Sequence, residues 1–267
     1  MRKMVITLIV LGLVAATAAF AGNLANDGFG YGNGNLVPNN PGAPATGAWA
    51  TFSGSTGDIQ VVSNYATGVV NTSAFANDDA LPFTAQTLLV PTYYCADVYI
   101  PCFGSSAPLL SYFLGLKDAS TSNFFAKLHV LSQGTTGGFT FGISVTSTSA
   151  TVGLTPWTST LSCDTWYRVV AKYDPVAKSA TLWVNPTSEA SPSVTDVNTG
   201  STSQAISTVF LRQGGGSTVP SPGYPGTAIW NWRVDNLGVG TTFGDACNEG
   251  VTSAKGSTWG NLKSLYR

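Results

Sequence analysis

Apolar side chains recur at every second position along much of this chain, the period of a half-buried β-strand. Phe139, Phe141, Ile143 and Val145 alternate with Thr140, Gly142 and Ser144 behind a Gly137-Gly138 turn. Leu88 to Ile100 places Tyr94, Ala96, Val98 and Ile100 on one face. Asn123 to Leu131 places Phe124, Ala126, Leu128 and Val130 on one face, with Lys127 and His129 opposite, toward solvent. Leu109 to Leu116 is apolar almost throughout and reads as a strand buried on both faces. Trp166 to Tyr173 and Ala180 to Val184 flank Asp174-Pro175, a turn dipeptide, and read as a hairpin. Ile206 to Leu211 and Ile229 to Val239 complete the regular series. Residues 49 to 62 predict two short strands, and residues 22 to 48 an irregular lead-in with room for one short strand. Residues 63 to 86 read as a long polar connection. No helical period of useful length runs through residues 22 to 247. Many short strands with Gly/Ser/Thr loops between them predict an antiparallel sandwich or barrel.

The two ends differ from this pattern. Arg2 and Lys3 precede an uncharged apolar run from Val5 to Phe20, and Ala19-Phe20-Ala21 is a small-x-small cleavage site. The run is short for a bilayer span, so residues 1 to 21 read as a removable signal peptide. The chain is then expected outside the cell or at its surface, with no membrane insertion after cleavage. Residues 248 to 267 read as a linker and a C-terminal tail, in which Ser257 either caps a short helix carrying Trp259, Leu262 and Leu265 or begins a frayed end. Residues 22 to 247 are expected to form one domain.

Composition narrows the function classes. Only 9% of residues are charged. Without Arg2 and Lys3, ten basic residues face thirteen acidic ones, a net charge of about −3. Neither nucleic acid nor an anionic membrane suits such a surface, since both call for basic clusters. Cys95, Cys102, Cys163 and Cys247 all fall in the exported part, and four cysteines there imply two disulfides with three pairings open. A straight strand from Cys95 to Cys102 separates its ends by about 23 Å. That disfavours joining those two unless the chain bends at Pro101.

Four stretches resemble the concanavalin A-like jelly roll in the laminin-G-like form of secreted bacterial proteins. They are Asn35-Leu36 followed by Trp49 to Val62 (WATFSGSTGDIQVV), Trp166 to Asp174 (WYRVVAKYD), Ala180 to Pro186 (ATLWVNP), and Arg233 to Thr242 (RVDNLGVGTT). The resemblance implies an all-β fold, a two-sheet antiparallel jelly-roll sandwich. It also implies that the Leu88–Ile100 strand lies between the last strand and the WYRVVAKYD strand. Cys247 would then fall near Cys95 and Cys163 near Cys102, so the disulfides implied are Cys95–Cys247 and Cys102–Cys163.

Candidate chemistry is sparse. Glycoside hydrolysis usually takes two facing carboxylates. The glutamates are Glu189 and Glu249, both in apparent loops, and Asp97 and Asp235 would face each other only if their strands pair. A lone histidine, His129, and the lack of a Gly-x-Ser-x-Gly elbow argue against a serine hydrolase. The paired Arg/Gln/His/Tyr strand motifs of the polysaccharide lyases of this fold are not recognisable. Gly214-Gly215-Gly216 leads into a Pro-rich loop and builds no phosphate site. No cofactor and no resident metal is expected. Calcium is the one candidate ion, through Asp118, Asn123, Asp174 and Asp196.

Sugar sites on β-sandwiches combine flat aromatics with polar groups that fix the hydroxyls. The ligand-binding candidates are Trp157, Tyr224, Trp230 and Trp232, with the core as the competing place for the last two. The sequence is thus read as a secreted, non-catalytic carbohydrate-binding or adhesion module whose partner is an extracellular glycan or cell-surface component. The alternatives are a structural component of a matrix or surface layer, or a glycan-cleaving enzyme.

Overall fold

The computed structural model describes residues 22–70, 76–102, 110–120, 122–132, 138–145, 154–200, 202–213 and 230–247. Residues 1 to 21, expected to be a signal peptide, lie outside the described residues, as do Tyr224, Gly214 to Gly216 and the tail from 248. Seventeen strands and one short helix are present: β1 (Asn23–Asp27), β2 (Gly34–Asn35), β3 (Ala50–Ser53), β4 (Gln60–Val62), β5 (Tyr65–Val70), β6 (Asp78–Pro82), β7 (Thr92–Tyr99), β8 (Leu110–Lys117), β9 (Phe124–Ser132), β10 (Gly138–Ser144), β11 (Leu154–Pro156), β12 (Leu161–Ser162), β13 (Trp166–Asp174), β14 (Ser179–Val184), β15 (Val194–Val197), β16 (Thr208–Arg212), β17 (Trp230–Gly240) and α1 (Phe243–Cys247). No helix among the described residues is long and apolar enough to cross a membrane.

The strands form two sheets. Sheet A has nine strands in the order β15-β14-β13-β7-β17-β5-β4-β2, with β1 paired to the far half of β17. Sheet B has eight, in the order β11-β10-β9-β8-β16-β6-β3, with β12 beside β10. Every pairing is antiparallel. As expected, β7 lies between β17 and β13. The inward faces pack on each other through the alternating residues: Tyr94, Ala96, Val98, Phe139, Phe141, Ile143, Val169 and Ala171 are all fully buried in one cluster.

The structure departs from the sequence pattern at several places. The connection 63–86 contains β5 and β6. Two glycine- and aspartate-bearing segments become strands because partners elsewhere accept them. A Cβ at Gly68 would come within 2.4 Å of the Trp232 ring, so only glycine lets the indole lie over β5. Asp78 is paired across the sheet with Arg212. In β9, Ala126 takes a left-handed conformation (φ 45°) and joins the core, so Phe125 rather than Phe124 points inward. The short helix α1 was not foreseen; five residues are too few to show a period. Its capping was visible in retrospect, since Thr242 Oγ accepts the Asp245 N–H at 3.1 Å and donates to the Asp245 carboxylate at 2.6 Å.

Asp79 on β6 carries a consequence for pH. It is fully buried, Oδ1 accepts the Thr51 hydroxyl at 2.8 Å, and Oδ2 has no hydrogen-bond partner among the described residues. Burial pushes its pKa up from 3.8 to about 6, against the Thr51 bond and with help from Asp58 and Asp78. Between those values the folded protein holds a proton that the unfolded chain releases, so stability falls as pH rises through this window. Asp79→Asn is expected to flatten that slope and to raise stability at pH 7 by on the order of 2 kcal/mol. Urea unfolding at pH 4 and pH 7 checks this; a variant with an unchanged pH slope refutes it.

Candidate functional site

The outer face of sheet B, turned away from the core, carries a dense set of aromatic and cationic side chains. The left-handed residue in β9 builds it. Because Ala126 is turned inward, Phe124, Lys127 and His129 all project outward. In β8 a register shift between Tyr112 and Leu114 sends Phe113 and Leu114 both into the core and leaves Tyr112 outward, directly opposite His129. Arg212 at the end of β16 arrives across from Asp78, with Nε 3.5 Å from its carboxylate.

Aromatic rings form the floor. Phe124 and Phe210 lie 5.1 Å apart, Phe52 packs on both, and Tyr112 contacts Phe124, His129 and Phe210. The cations rest on these rings: Lys117 over Phe52 at 4.9 Å, Lys127 over Tyr112 at 5.0 Å, and the Arg212 guanidinium over Tyr112 at 4.4 Å. Phe52, Tyr112, Phe124 and Arg212 are partly exposed. Lys127 and His129 are buried beneath them, at 1% and 0% exposure.

Burial sets the protonation of this floor. It lowers the Lys127 pKa to about 8, helped by Arg212 and opposed by Asp196. Burial, with Lys127 and Arg212, holds His129 well below its ordinary value, so the imidazole is neutral. Its Nε2 lies 2.9 Å from the Ser144 hydroxyl, while Nδ1 has no hydrogen-bond partner among the described residues. Burial raises Tyr112 despite the neighbouring Arg212, keeping the phenol protonated.

Lys127 and His129, expected to face solvent, are instead buried. They lie on the expected face of β9, but the face is covered. The readable signal was two ionisable residues spaced by two inside an apolar strand. Their partners Tyr112, Ser144 and Arg212 come from three other strands and left no local mark.

The aromatics expected to bind ligand are dispersed. Trp230 and Trp232 are 2% and 0% exposed and pack on Phe113, so both belong to the core and neither is open to a ligand. Inward projection from β17 follows from its alternation, which sends Trp230, Trp232 and Val234 to one side. Trp157 is half-buried beside β10, with its Nε1 donating to Ser159.

Asp97 and Asp235 do face one another in register. Asp97, however, receives two hydrogen bonds from Arg168, at 2.9 and 3.0 Å, and one from Asn236 at 2.8 Å. Burial raises its pKa, but these bonds outweigh that and hold it below the ordinary carboxylate value. A carboxylate so engaged is a structural anion rather than a general acid.

The four calcium candidates do not converge. Asp118 and Asn123 meet within the β8–β9 loop, where the Asn123 amide donates to the Asp118 carboxylate. Asp174 caps the β13–β14 turn through the N–H groups of Val176 and Ala177. Asp196 accepts the Val145 N–H at another edge. Among the described residues, the one cluster of three ligating side chains is Cys102, Cys163 and Asp164, and its two cysteines are joined as a disulfide. Cys95 and Cys247 are neighbours but free thiols, the Cys95 pKa being pushed up by its hydrogen bond to Cys247 and by burial.

The sequence matches no protein family and no curated protein. Solved structures share the fold. A sialidase aligns with 85% of this chain at a TM-score of 0.54 and 14% identity. This chain spans only 19% of the sialidase. An alginate lyase solved in complex with alginate trisaccharide aligns with 82% of this chain, and 98% of its own, at a TM-score of 0.52 and 12% identity. At such identities the likeness speaks for architecture: a two-sheet jelly-roll sandwich of the concanavalin A-like kind.

Proposed function

We propose that this protein binds an acidic carbohydrate on the outer face of sheet B. The observation that carries the reading is the placement of Lys127 and Arg212 on the ring of Tyr112. A pyranose packs its C–H face on an exposed ring edge, and a carboxylate or sulfate on the sugar meets the guanidinium with charge-assisted hydrogen bonds. Asp118, Asp196 and Asp78 lie near Lys117, Lys127 and Arg212 respectively, and of these cations Arg212 is the one partly exposed to a ligand. The alginate lyase of the same fold was solved with an acidic oligosaccharide, which agrees with the reading. The same reading places the protein outside the cell after loss of residues 1 to 21, as a laminin-G-like form of the fold. There a thiol–disulfide oxidant of the exported compartment takes up two electrons and two protons from the neighbouring Cys95 and Cys247 thiols, which close the second disulfide.

Calorimetric titration with oligoalginate and oligogalacturonate, beside neutral cello- and xylo-oligosaccharides, tests this. Arg212→Gln and Tyr112→Leu, each checked for an unchanged fold by thermal melting, are expected to weaken acidic-sugar binding at least about tenfold, or 1.4 kcal/mol. Raised salt is expected to weaken it as well. Absence of binding, or wild-type affinity in both variants, sinks the proposal.

One observation favours cleavage as a second reading. Lys127, with its pKa lowered to about 8 and its ammonium on the Tyr112 ring, is the group of this floor that exchanges a proton near neutral pH. Release of shorter products from the bound glycan, abolished in Lys127→Ala, supports that reading; binding without release rejects it.

A further inference from the structure

We infer that the opposite side of the molecule, the outer face of sheet A, is a separate binding surface for an uncharged glycan, centred on Trp166. The inference does not rest on the reading of sheet B. Among the large apolar side chains that are exposed in the described residues, Trp166 is the one aromatic ring, at 42% exposure. It is held by its neighbours: Tyr99 at 5.3 Å and Tyr65 at 6.1 Å between ring centroids. Arg233 lies over both tyrosines, its guanidinium 5.0 Å from Tyr65 and 4.7 Å from Tyr99. Register explains the assembly, since Trp166 opposes Tyr99 and Tyr99 opposes Arg233 across three adjacent strands.

The platform is fixed in advance. The Tyr99 hydroxyl donates to the Asp164 carboxylate at 2.9 Å, and the Cys102 N–H donates to the same oxygen at 3.1 Å. Cys102 is disulfide-bonded to Cys163, so the chain leading into Trp166 is tied to the end of β7. A rigid aromatic surface loses little freedom on binding.

Charge complementarity selects the ligand. One register step along the sheet lies the Arg168–Asp97 ion pair, which satisfies its own charge. Arg233 is spread over two ring faces, with Asp235 two positions along its strand. The face therefore presents flat rings beside two cations and three carboxylates, Arg168 and Arg233 against Asp97, Asp164 and Asp235, so it holds no surplus positive charge to draw an acidic sugar. An uncharged pyranose chain matches that: its C–H face stacks on the indole and its hydroxyls meet the polar row.

Affinity electrophoresis of the intact protein through gels containing hydroxyethyl cellulose, soluble xylan or galactomannan tests the inference. Retardation in at least one gel is expected. Trp166→Ala, at an exposed position that does not threaten the fold, is expected to reduce it at least tenfold, while Tyr112→Leu on sheet B leaves it unchanged. Binding of acidic oligosaccharides by Trp166→Ala, measured alongside, keeps the two faces distinguishable. No retardation in any gel, or equal retardation of wild type and Trp166→Ala, overturns the inference. So does self-association of the wild type that Trp166→Ala abolishes, which would make this face a protein interface.

Discussion

Trp232→Ala is expected to lower the unfolding free energy by about 3–5 kcal/mol, the range for truncating a fully buried tryptophan. The indole is 0% exposed and stacks on Phe113 at 5.7 Å. Its Nε1 donates to the backbone carbonyl of Arg212 at 3.1 Å. That bond runs from sheet A to sheet B, so the substitution leaves a cavity and also deprives a carbonyl of its donor. The collapse is hard to repair, because Gly68 beneath the ring has no side chain with which to fill the space. The same bond anchors the strand end that presents Arg212 toward the acidic-sugar face, and affinity there should fall with stability. Urea unfolding with an unchanged m-value checks the first part. A loss below 1 kcal/mol means that the two sheets do not depend on this contact.

The Cys102→Ser/Cys163→Ser variant is expected to lose about 4 kcal/mol, the chain-entropy value for a loop of this size. The bridge joins residues 61 apart in sequence, from the end of β7 to the segment before β13. Its removal widens the unfolded ensemble and also frees the Asp164 turn that holds Tyr99. The variant should therefore melt lower, and it should lose binding of uncharged glycans more than binding of acidic ones. Reduced and oxidised forms of a Cys95→Ser/Cys247→Ser variant, compared by thermal melting, provide the same contrast with the Cys102–Cys163 pair intact in sequence. Equal melting temperatures in the two forms would show that the bridge adds nothing to stability.

How much of this was legible in the sequence depended on where each residue finds its partner. β10 shows its strand period openly, because Phe139, Phe141 and Ile143 all face one core. β6 does not, because Asp78 meets Arg212, 134 residues further along the chain, and the polar run Asn77-Asp78-Asp79 mimics a loop. Strands of two or three residues, such as β2, β11 and β12, are too short to carry a period at all. The site was less legible than the fold. Lys127 and His129 were noticed, yet alternation alone cannot tell a solvated face from one roofed by other strands' side chains. Trp230 and Trp232 drew attention as large aromatics, but their size is what the core uses. The sheet A platform was missed because Trp166, Tyr99 and Arg233 lie on three strands and become neighbours only through register.

Where β17 sits has a consequence for how the protein is made. It is the last of the described strands in the chain, yet it lies inside sheet A, between β7 on one side and β5 and β1 on the other. A growing chain that has released residues 22 to 212 has every other strand of that sheet but no strand to join its two halves. Until residues 230 to 240 emerge, β7 and β5 each present an open row of N–H and C=O groups to whatever lies nearby. The sandwich therefore closes only once residues 230 to 240 arrive, and it is while waiting for that strand that the protein is most exposed to mispairing with its own copies.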